Sequence, residues 1–331
     1  MLLGGDIGGT KTLLALARLE RDGRMQILLE RSFASREYAS FDSVFDAFQD
    51  EARVNGHDEP IEAATIGVAG PVDAGRAKVT YLPWQLDATE LSQRIGGAPM
   101  HLLNDFAAAA AGLLDPAIPT EVLQSAPIVP RGTRVILGAG TGLGVAALTC
   151  VGEQWKILAG EGGHVGFAPA SQEQTRLREW LAARKPRVAA ERVLSGAGLV
   201  DLYRFVCAER GSGATEVDLD DPDTDPAAAI STRGIANPES ASGHALRLFC
   251  AVYGAFAGDL ALLFNARGGV FLAGGIAPKI LAALRGTPFV EAFRDKGVHS
   301  RLVAGYAAHV VMEPRLGLLG ALQLAAGRGI A

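Results

Sequence analysis

Two stretches of this chain share one form. LLGGDIGGTKTLLALARL (2–19) and RVILGAGTGLGVAALTC (134–150) each run apolar, break at a glycine-rich turn and return apolar. Such runs around a glycine tip read as strand, turn, strand. The chain is therefore constrained to build β-structure at two distant points. Its 331 residues exceed what one hydrophobic core usually holds, so two domains are expected. With 49% hydrophobic residues it has ample material to bury.

Other segments alternate between strand and helix patterns. A third strand is expected at Met25–Glu30. Phe41, Val44, Phe45 and Phe48 have helical spacing and predict a helix over 41–54. Strands are expected at 63–69, 99–103 and 270–272, and helices at 106–114, 172–184, 197–210, 240–266 and 317–326. The stretch GSGATEVDLDDPDTDP (211–226) holds five aspartates without EF-hand spacing. It reads as a solvated loop, with Asp225 capping a helix that starts at Pro226. The basic run Arg176–Arg187 reads as an exposed helix face stopped by Pro186.

The net charge of −5 speaks against nucleic acid as the main partner. Cys150, Cys207 and Cys250 lie far apart, with no CxxC and no metal-type spacing, which fits free thiols in a reducing cytoplasm. The N-terminal MLLGGDIGGTK lacks the basic and apolar regions of a signal peptide. The apolar stretch 254–278 is interrupted by Asp259, Asn265 and Arg267, so no membrane association is expected.

Each glycine turn can offer converging backbone N–H groups to a phosphate. In the first, Gly8 and Gly9 provide the close approach, Thr10 and Thr12 add hydroxyls, and Lys11 adds charge. Asp6 repels a bare phosphate and makes sense only with a cation such as Mg²⁺, or its water shell, in between. The second turn offers Gly138, Gly140, Thr141 and Gly142. Alone, either is more readily a plain hairpin than a phosphate site. Neither fits the P-loop or a dinucleotide-binding strand–GxGxxG–helix unit. A third glycine pair, Gly274-Gly275, follows a strand and would let a flat adenine ring lie near the backbone. Sugar hydroxyls are recognised by paired hydrogen bonds, often to carboxylates. Glu161 and His164, around two glycines, and Glu191 and the pair Asn104-Asp105 are candidates. Glu191 is also readable as an exposed helix residue and His164 as a structural histidine. Asp105 is readable as the N-cap of an alanine-rich helix. Local sequence leaves these alternatives open.

Taken together, DIGGTKT, GVAGPV, LLNDF, GAGTGLG, EGGHVGFAP, ERVLSGAGLVDLYR and GGVFLAGGIAPK resemble, in order and over nearly the whole chain, the bacterial glucokinase family. That family sits within the actin and heat-shock ATPase superfold. The resemblance implies an α/β chain with the two-domain actin-like ATPase (ribonuclease H-like) fold and a cleft between domains. The small domain would hold 1–113 plus about 314–331, and the large one 114–313. It implies ATP-dependent phosphorylation of glucose to glucose 6-phosphate, the first step of glucose use in glycolysis. Asp105 would be the general base, and Asn104, Glu161, His164 and Glu191 the sugar ligands. ATP would lie on Asp6, Gly8, Gly9, Thr10 and Lys11, on Gly138, Gly140, Thr141 and Gly142, and on Gly274 and Gly275. Mg²⁺ would be held by Asp6 through water. A cytoplasmic homodimer is the family expectation.

Three departures stand out. Lys11 follows Gly-Gly-Thr where many close relatives have Asn; GGTK is more usual in the ROK sugar kinases and repressors. The cysteine-rich zinc motif of ROK kinases is missing, because no cysteine occurs between Cys150 and Cys207, so no structural zinc is expected. Thr80-Tyr81 stands where relatives often have Thr-Asn. The competing readings are a kinase for mannose, N-acetylglucosamine or fructose, a sugar sensor without turnover, and a chaperone-type ATPase. The presence of Asp105 argues against the sensor.

Overall fold

A computed structural model describes residues 1–211 and 215–327. Contacts divide the chain into two units. The first comprises Met1–Ile118, Ala146–Ala159 and the segment from Glu313 onward; the second comprises Pro119–Val145 and Gly160–Met312.

The first unit opens with β1 (Leu2–Ile7), β2 (Lys11–Leu19) and β3 (Met25–Ala34), a meander whose third strand runs beyond the apolar stretch that announced it. Helix α1 (Phe41–Val54) buries Phe41, Val44, Phe45, Phe48 and Ala52, and Ser40 caps it by accepting the N–H of Ser43. β4 (Ala63–Val68) follows. Then come three short strands, β5 (Val72–Asp73), β6 (Arg76–Lys78) and β7 (Gln85–Asp87), which form a small sheet of their own, and α2 (Ala88–Arg94). β8 (Met100–Asn104) leads directly into α3 (Asp105–Gly112). The main sheet has the order β3-β2-β1-β4-β8. β1 pairs antiparallel with β2 and parallel with β4, and β4 pairs parallel with β8.

The remaining strands and helices follow in order. They are β9 (Thr120–Gln124), β10 (Arg134–Ala139), β11 (Leu143–Val151), β12 (Gln154–Gly160), α4 (Gln172–Ala182), α5 (Gly196–Arg210), α6 (Pro226–Ala236), α7 (Ala241–Phe264), β13 (Gly269–Ala273), α8 (Leu281–Leu284), α9 (Thr287–Arg294), α10 (Ser300–Val303), β14 (Ala308–Val311) and α11 (Leu316–Ala325). The second sheet has the order β12-β11-β10-β13-β14-β9. Its first five strands repeat the order of the first sheet, and β9 is added antiparallel at the edge. The two glycine turns thus occupy equivalent places, β1 to β2 and β10 to β11.

Asp225 caps α6 with Pro226 in its first turn, as the sequence implies; residues 212–214 of the preceding loop, and 328–331, lie outside the described residues. α7 is long and apolar enough, by length and composition, to cross a membrane, although it ends ahead of the interruptions at Asn265 and Arg267. Here it is a core helix, with Leu246, Phe249, Tyr253, Ala257 and Ala261 buried.

α11 returns to the first unit and lies on β1 and α3. A methyl group on Gly320 would come within 1.8 Å of the Ala108 carbonyl oxygen, and one on Gly112 within 2.6 Å of the Leu316 carbonyl oxygen. The two helices therefore cross with their backbones in contact, a separation that glycine alone allows.

Candidate functional site

The first unit brings its candidates to one end of β1, β4 and β8. Between β1 and β2, the N–H of Gly8 donates to the carbonyl of Lys11 at 2.9 Å, closing the turn. Ser35 holds that turn from the side: its hydroxyl donates to the Gly8 carbonyl at 2.9 Å and its N–H to the Thr10 carbonyl at 3.0 Å. Thr10 and Lys11 are exposed. Thr12 is not the donor the sequence offered. It is buried, with its hydroxyl 3.0 Å from that of Ser35. Because successive strand residues face opposite sides, Thr12 points into the sheet's packed face rather than toward a ligand.

Asp6 pairs in register with Gly67 of β4. Its carboxylate lies against the first turn of α11, where a methyl on Gly317 would stand 2.7 Å from Oδ2. Burial pushes its carboxyl up to about 6, partly opposed by Lys11. Gly67 in turn faces α3: a methyl there would sit 3.5 Å from the Asp105 Cα. Asp6 and Asp105 thus flank the same residue of β4.

The cap of α3 is Asn104, not Asp105. Asn104 Oδ1 accepts from the N–H of Phe106 at 2.9 Å and of Ala107 at 3.4 Å. Asp105 is the first helical residue, and its Oδ1 accepts from Phe106 N–H at 2.9 Å. A carboxylate in the first turn is favourably placed in the helix dipole. The Asn104 amide also approaches the Gly70 carbonyl at 3.5 Å, and a methyl on Gly70 would stand 3.2 Å from the Thr80 hydroxyl oxygen.

The second unit gathers the other candidates around its own glycine turn. Gly140 N–H donates to the Gly142 carbonyl at 2.8 Å, and Gly196, at the start of α5, donates to the Gly140 carbonyl at 2.9 Å. Gly274 has φ +80°, and a methyl there would meet the Ala139 carbonyl at 2.8 Å. Gly274 and Gly275 are exposed beside this turn, and a methyl on Gly140 or Gly275 would meet nothing within 4 Å. The buried Tyr253 hydroxyl accepts the Ala139 N–H at 3.2 Å, a support that no sequence pattern signalled.

Glu191 is not the exposed helix residue that its sequence context allows. It sits half-buried in a short turn and accepts the N–H of Leu143 at 3.1 Å. A methyl on Gly142 would stand 2.6 Å from its Oε2. The glycines after Glu161 let that segment lie on β11: a methyl on Gly163 would come within 2.0 Å of the Leu143 carbonyl oxygen. His164 Nε2 lies 3.9 Å from Glu161 Oε2, both side chains about 60% exposed. Ala190 N–H donates to the Val165 carbonyl at 2.9 Å, joining the Glu161–His164 and Glu191 segments. Carboxylates and an imidazole on glycine-rich backbone can accept paired hydrogen bonds from vicinal hydroxyls.

Among the described residues, no three or more His, Cys, Asp or Glu side chains are grouped so as to hold a metal. Asp6 is a single carboxylate beside a glycine turn, which fits Mg²⁺ held by one carboxylate, waters and phosphate oxygens.

The sequence profile of the glucokinase family matches residues 3–328. The chain belongs to the glucokinase family. The glucokinase of Synechocystis sp. is 36% identical over 98% of this chain and 97% of its own length. That of Nostoc sp. is 34% identical over 98% and 99%. A glucokinase from an Antarctic psychrotroph superposes with a TM-score of 0.83, at 29% identity, covering 98% of both chains. A ROK-family glucokinase from Streptomyces griseus, solved in complex with glucose and AMPPNP, has a TM-score of 0.65 at 23% identity over 98% and 99%, and so shares the fold. This glucokinase-family chain has the two-domain actin-like ATPase fold, and its two sheets repeat one five-strand order.

Proposed function

We propose that this chain transfers the terminal phosphoryl group of ATP to the 6-hydroxyl of glucose, with Asp105 as general base. Two lines support the substrates. The chain belongs to the glucokinase family, and its second unit gathers Glu161, His164 and Glu191 on glycine-rich backbone. The observation that carries the role of Asp105 is that Asn104 caps α3. The cap of the helix therefore does not depend on the carboxylate that follows.

Phosphoryl transfer has a loose transition state, so the protein works mainly by positioning and by stabilising charge. Glu161, His164, Glu191 and Asn104 hold the sugar hydroxyls. Asp105 accepts the proton of the 6-hydroxyl as the new O–P bond forms and the bond to the departing ADP breaks. The turn residues Gly8, Gly9, Thr10 and Lys11, with Gly138, Gly140, Thr141 and Gly142, receive the phosphates. Gly274 and Gly275 leave the flat approach that an adenosine needs. Asp6 would hold Mg²⁺ through water, and the ion would supply charge neutralisation to the phosphates. The enzyme acts in the cytoplasm as a homodimer at the entry of glucose into glycolysis. Cys150, Cys207 and Cys250 carry thiols outside any disulfide, which is consistent with a reducing compartment.

The test is glucose 6-phosphate formation by wild type and by Asp105→Asn. Loss of a general base costs about 10²–10⁴-fold in kcat. The variant should keep its fold, because Asn104 still caps the helix. Equal rates in the two proteins, or equal ATP hydrolysis with and without glucose, would refute the assignment.

A further inference from the structure

Two non-glycine residues of the first unit have positive φ, Ala74 at +46° and Tyr81 at +67°. Tyr81 is the bulky one, in the left-handed region that such a side chain rarely occupies. Burial does not compensate for this, since the residue is 68% exposed. The segment around it is firmly anchored. Thr80 N–H donates to the Ala69 carbonyl at 2.8 Å, Val79 N–H to the Trp84 carbonyl at 3.1 Å, and the indole of buried Trp84 to the Tyr38 carbonyl at 3.2 Å. The backbone is thus fixed in a shape suited to glycine or asparagine, and a tyrosine stands there. A methyl on Gly9 would meet the Tyr81 Cβ at 3.7 Å and Cδ2 at 3.8 Å, and the Thr80 carbonyl oxygen at 3.2 Å. The phenol ring therefore borders the first glycine turn. The same short segment reaches Gly70, whose carbonyl the Asn104 amide approaches.

We infer that Tyr81 is a further substrate-contacting residue: its hydroxyl donates to the terminal phosphate of the nucleotide held by the Gly8–Thr10 turn. This deepens, and rests on, the kinase reading above. A phenol hydroxyl donates a hydrogen bond, and tyrosine is among the side chains that stabilise developing negative charge in this way. The strained backbone is then the means by which an exposed ring is aimed at the turn rather than away from it.

The experiment uses the full chain and three proteins: wild type, Tyr81→Asn and Tyr81→Phe. Melting is followed without ligand. Binding of AMPPNP with Mg²⁺, and of glucose alone, is followed by calorimetry. Asparagine tolerates the left-handed region, so Tyr81→Asn should melt about 2 °C higher. It should bind AMPPNP about tenfold more weakly while glucose affinity stays unchanged, and Tyr81→Phe should lose most of the same nucleotide affinity. A merely structural tyrosine would move the melting temperature alone. AMPPNP affinity equal to wild type in Tyr81→Asn overturns the proposal, and wild-type affinity in Tyr81→Phe overturns the role of the hydroxyl. If wild type binds AMPPNP but does not phosphorylate glucose, the functional reading fails while the nucleotide contact is still decided. If wild type does not bind AMPPNP, both fail.

Discussion

Replacing Gly320 by alanine should damage the chemistry from a distance. The new methyl would stand 1.8 Å from the Ala108 carbonyl oxygen, whereas real Cβ atoms essentially never come under 3.0 Å of another heavy atom. The opposing atom is helix backbone, so it does not rotate away; α3 and α11 must separate by more than an ångström. Asp105 begins α3 and must move with it. Misplacement of a reacting group by about 1 Å costs roughly 100-fold, so kcat should fall by about that factor. Overpacking of this kind costs about 1–3 kcal/mol, a few degrees in Tm for a chain of this size. The assay pairs thermal melts with steady-state formation of glucose 6-phosphate, and Gly160→Ala serves as control because a methyl there meets nothing within 4 Å. The control should melt at the wild-type temperature or slightly above it. A Gly320→Ala protein with wild-type kcat and Tm would show that the close crossing of α3 and α11 does not position Asp105.

Gly142→Ala should give the opposite signature. The atom it meets at 2.6 Å is the tip of the Glu191 side chain, which can swing away at little cost in stability. Doing so breaks the 3.1 Å bond to Leu143 N–H. The Tm should be nearly unchanged while KM for glucose rises tenfold or more, the scale of one charge-assisted hydrogen bond; an unchanged KM would remove Glu191 from the sugar set. His309 tests stability alone. Its ring stacks on Phe271 at 5.4 Å, and both nitrogens lack a partner among the described residues. Burial lowers its pKa, so the unfolded chain takes up the proton first, and the stability His309 contributes as a neutral ring is lost as pH falls below about 6.5. His309→Phe should stabilise by about 1 kcal/mol at pH 7 and flatten the loss of Tm between pH 7 and 5; parallel pH profiles of the two proteins would refute this account.

Where local chemistry decides, the sequence was readable. Helix α1 falls on 41–54 because four apolar residues share a face and Ser40 precedes them. The β1–β2 hairpin is marked by glycines between two apolar runs. Strands β9, β12 and β14 were not foreseen. β9 and β12 lie at sheet edges, β12 carries only exposed or half-buried residues, and the one buried residue of β9 is the polar Gln124, so their pattern lacks the apolar signal. β14 has only four residues. The Asp105 question turned on one position: Asn and Asp are both good caps, and propensity does not choose between neighbours. The bond from Leu143 to Glu191 and the contact of Asp6 with Gly317 join segments far apart in the chain, and no local pattern reports such meetings. Tyr81 stood out in the sequence only as a departure; its reason lies in the backbone angle.

The place of α11 also bears on the order in which the chain acquires its structure. β1 to β8 are made first, yet the face of that sheet that receives Leu318 and Leu322 stays uncovered until residues 316–325 are synthesised. Most of the second unit, by contrast, is one uninterrupted run from Gly160 to Met312 and can condense while the ribosome is still working, since units generally fold as they emerge. The part that carries Asp6 and Asp105 is thus finished last. Translation that stops before α11 leaves a chain whose second unit is nearly whole and whose first unit exposes apolar strands to every neighbour it meets.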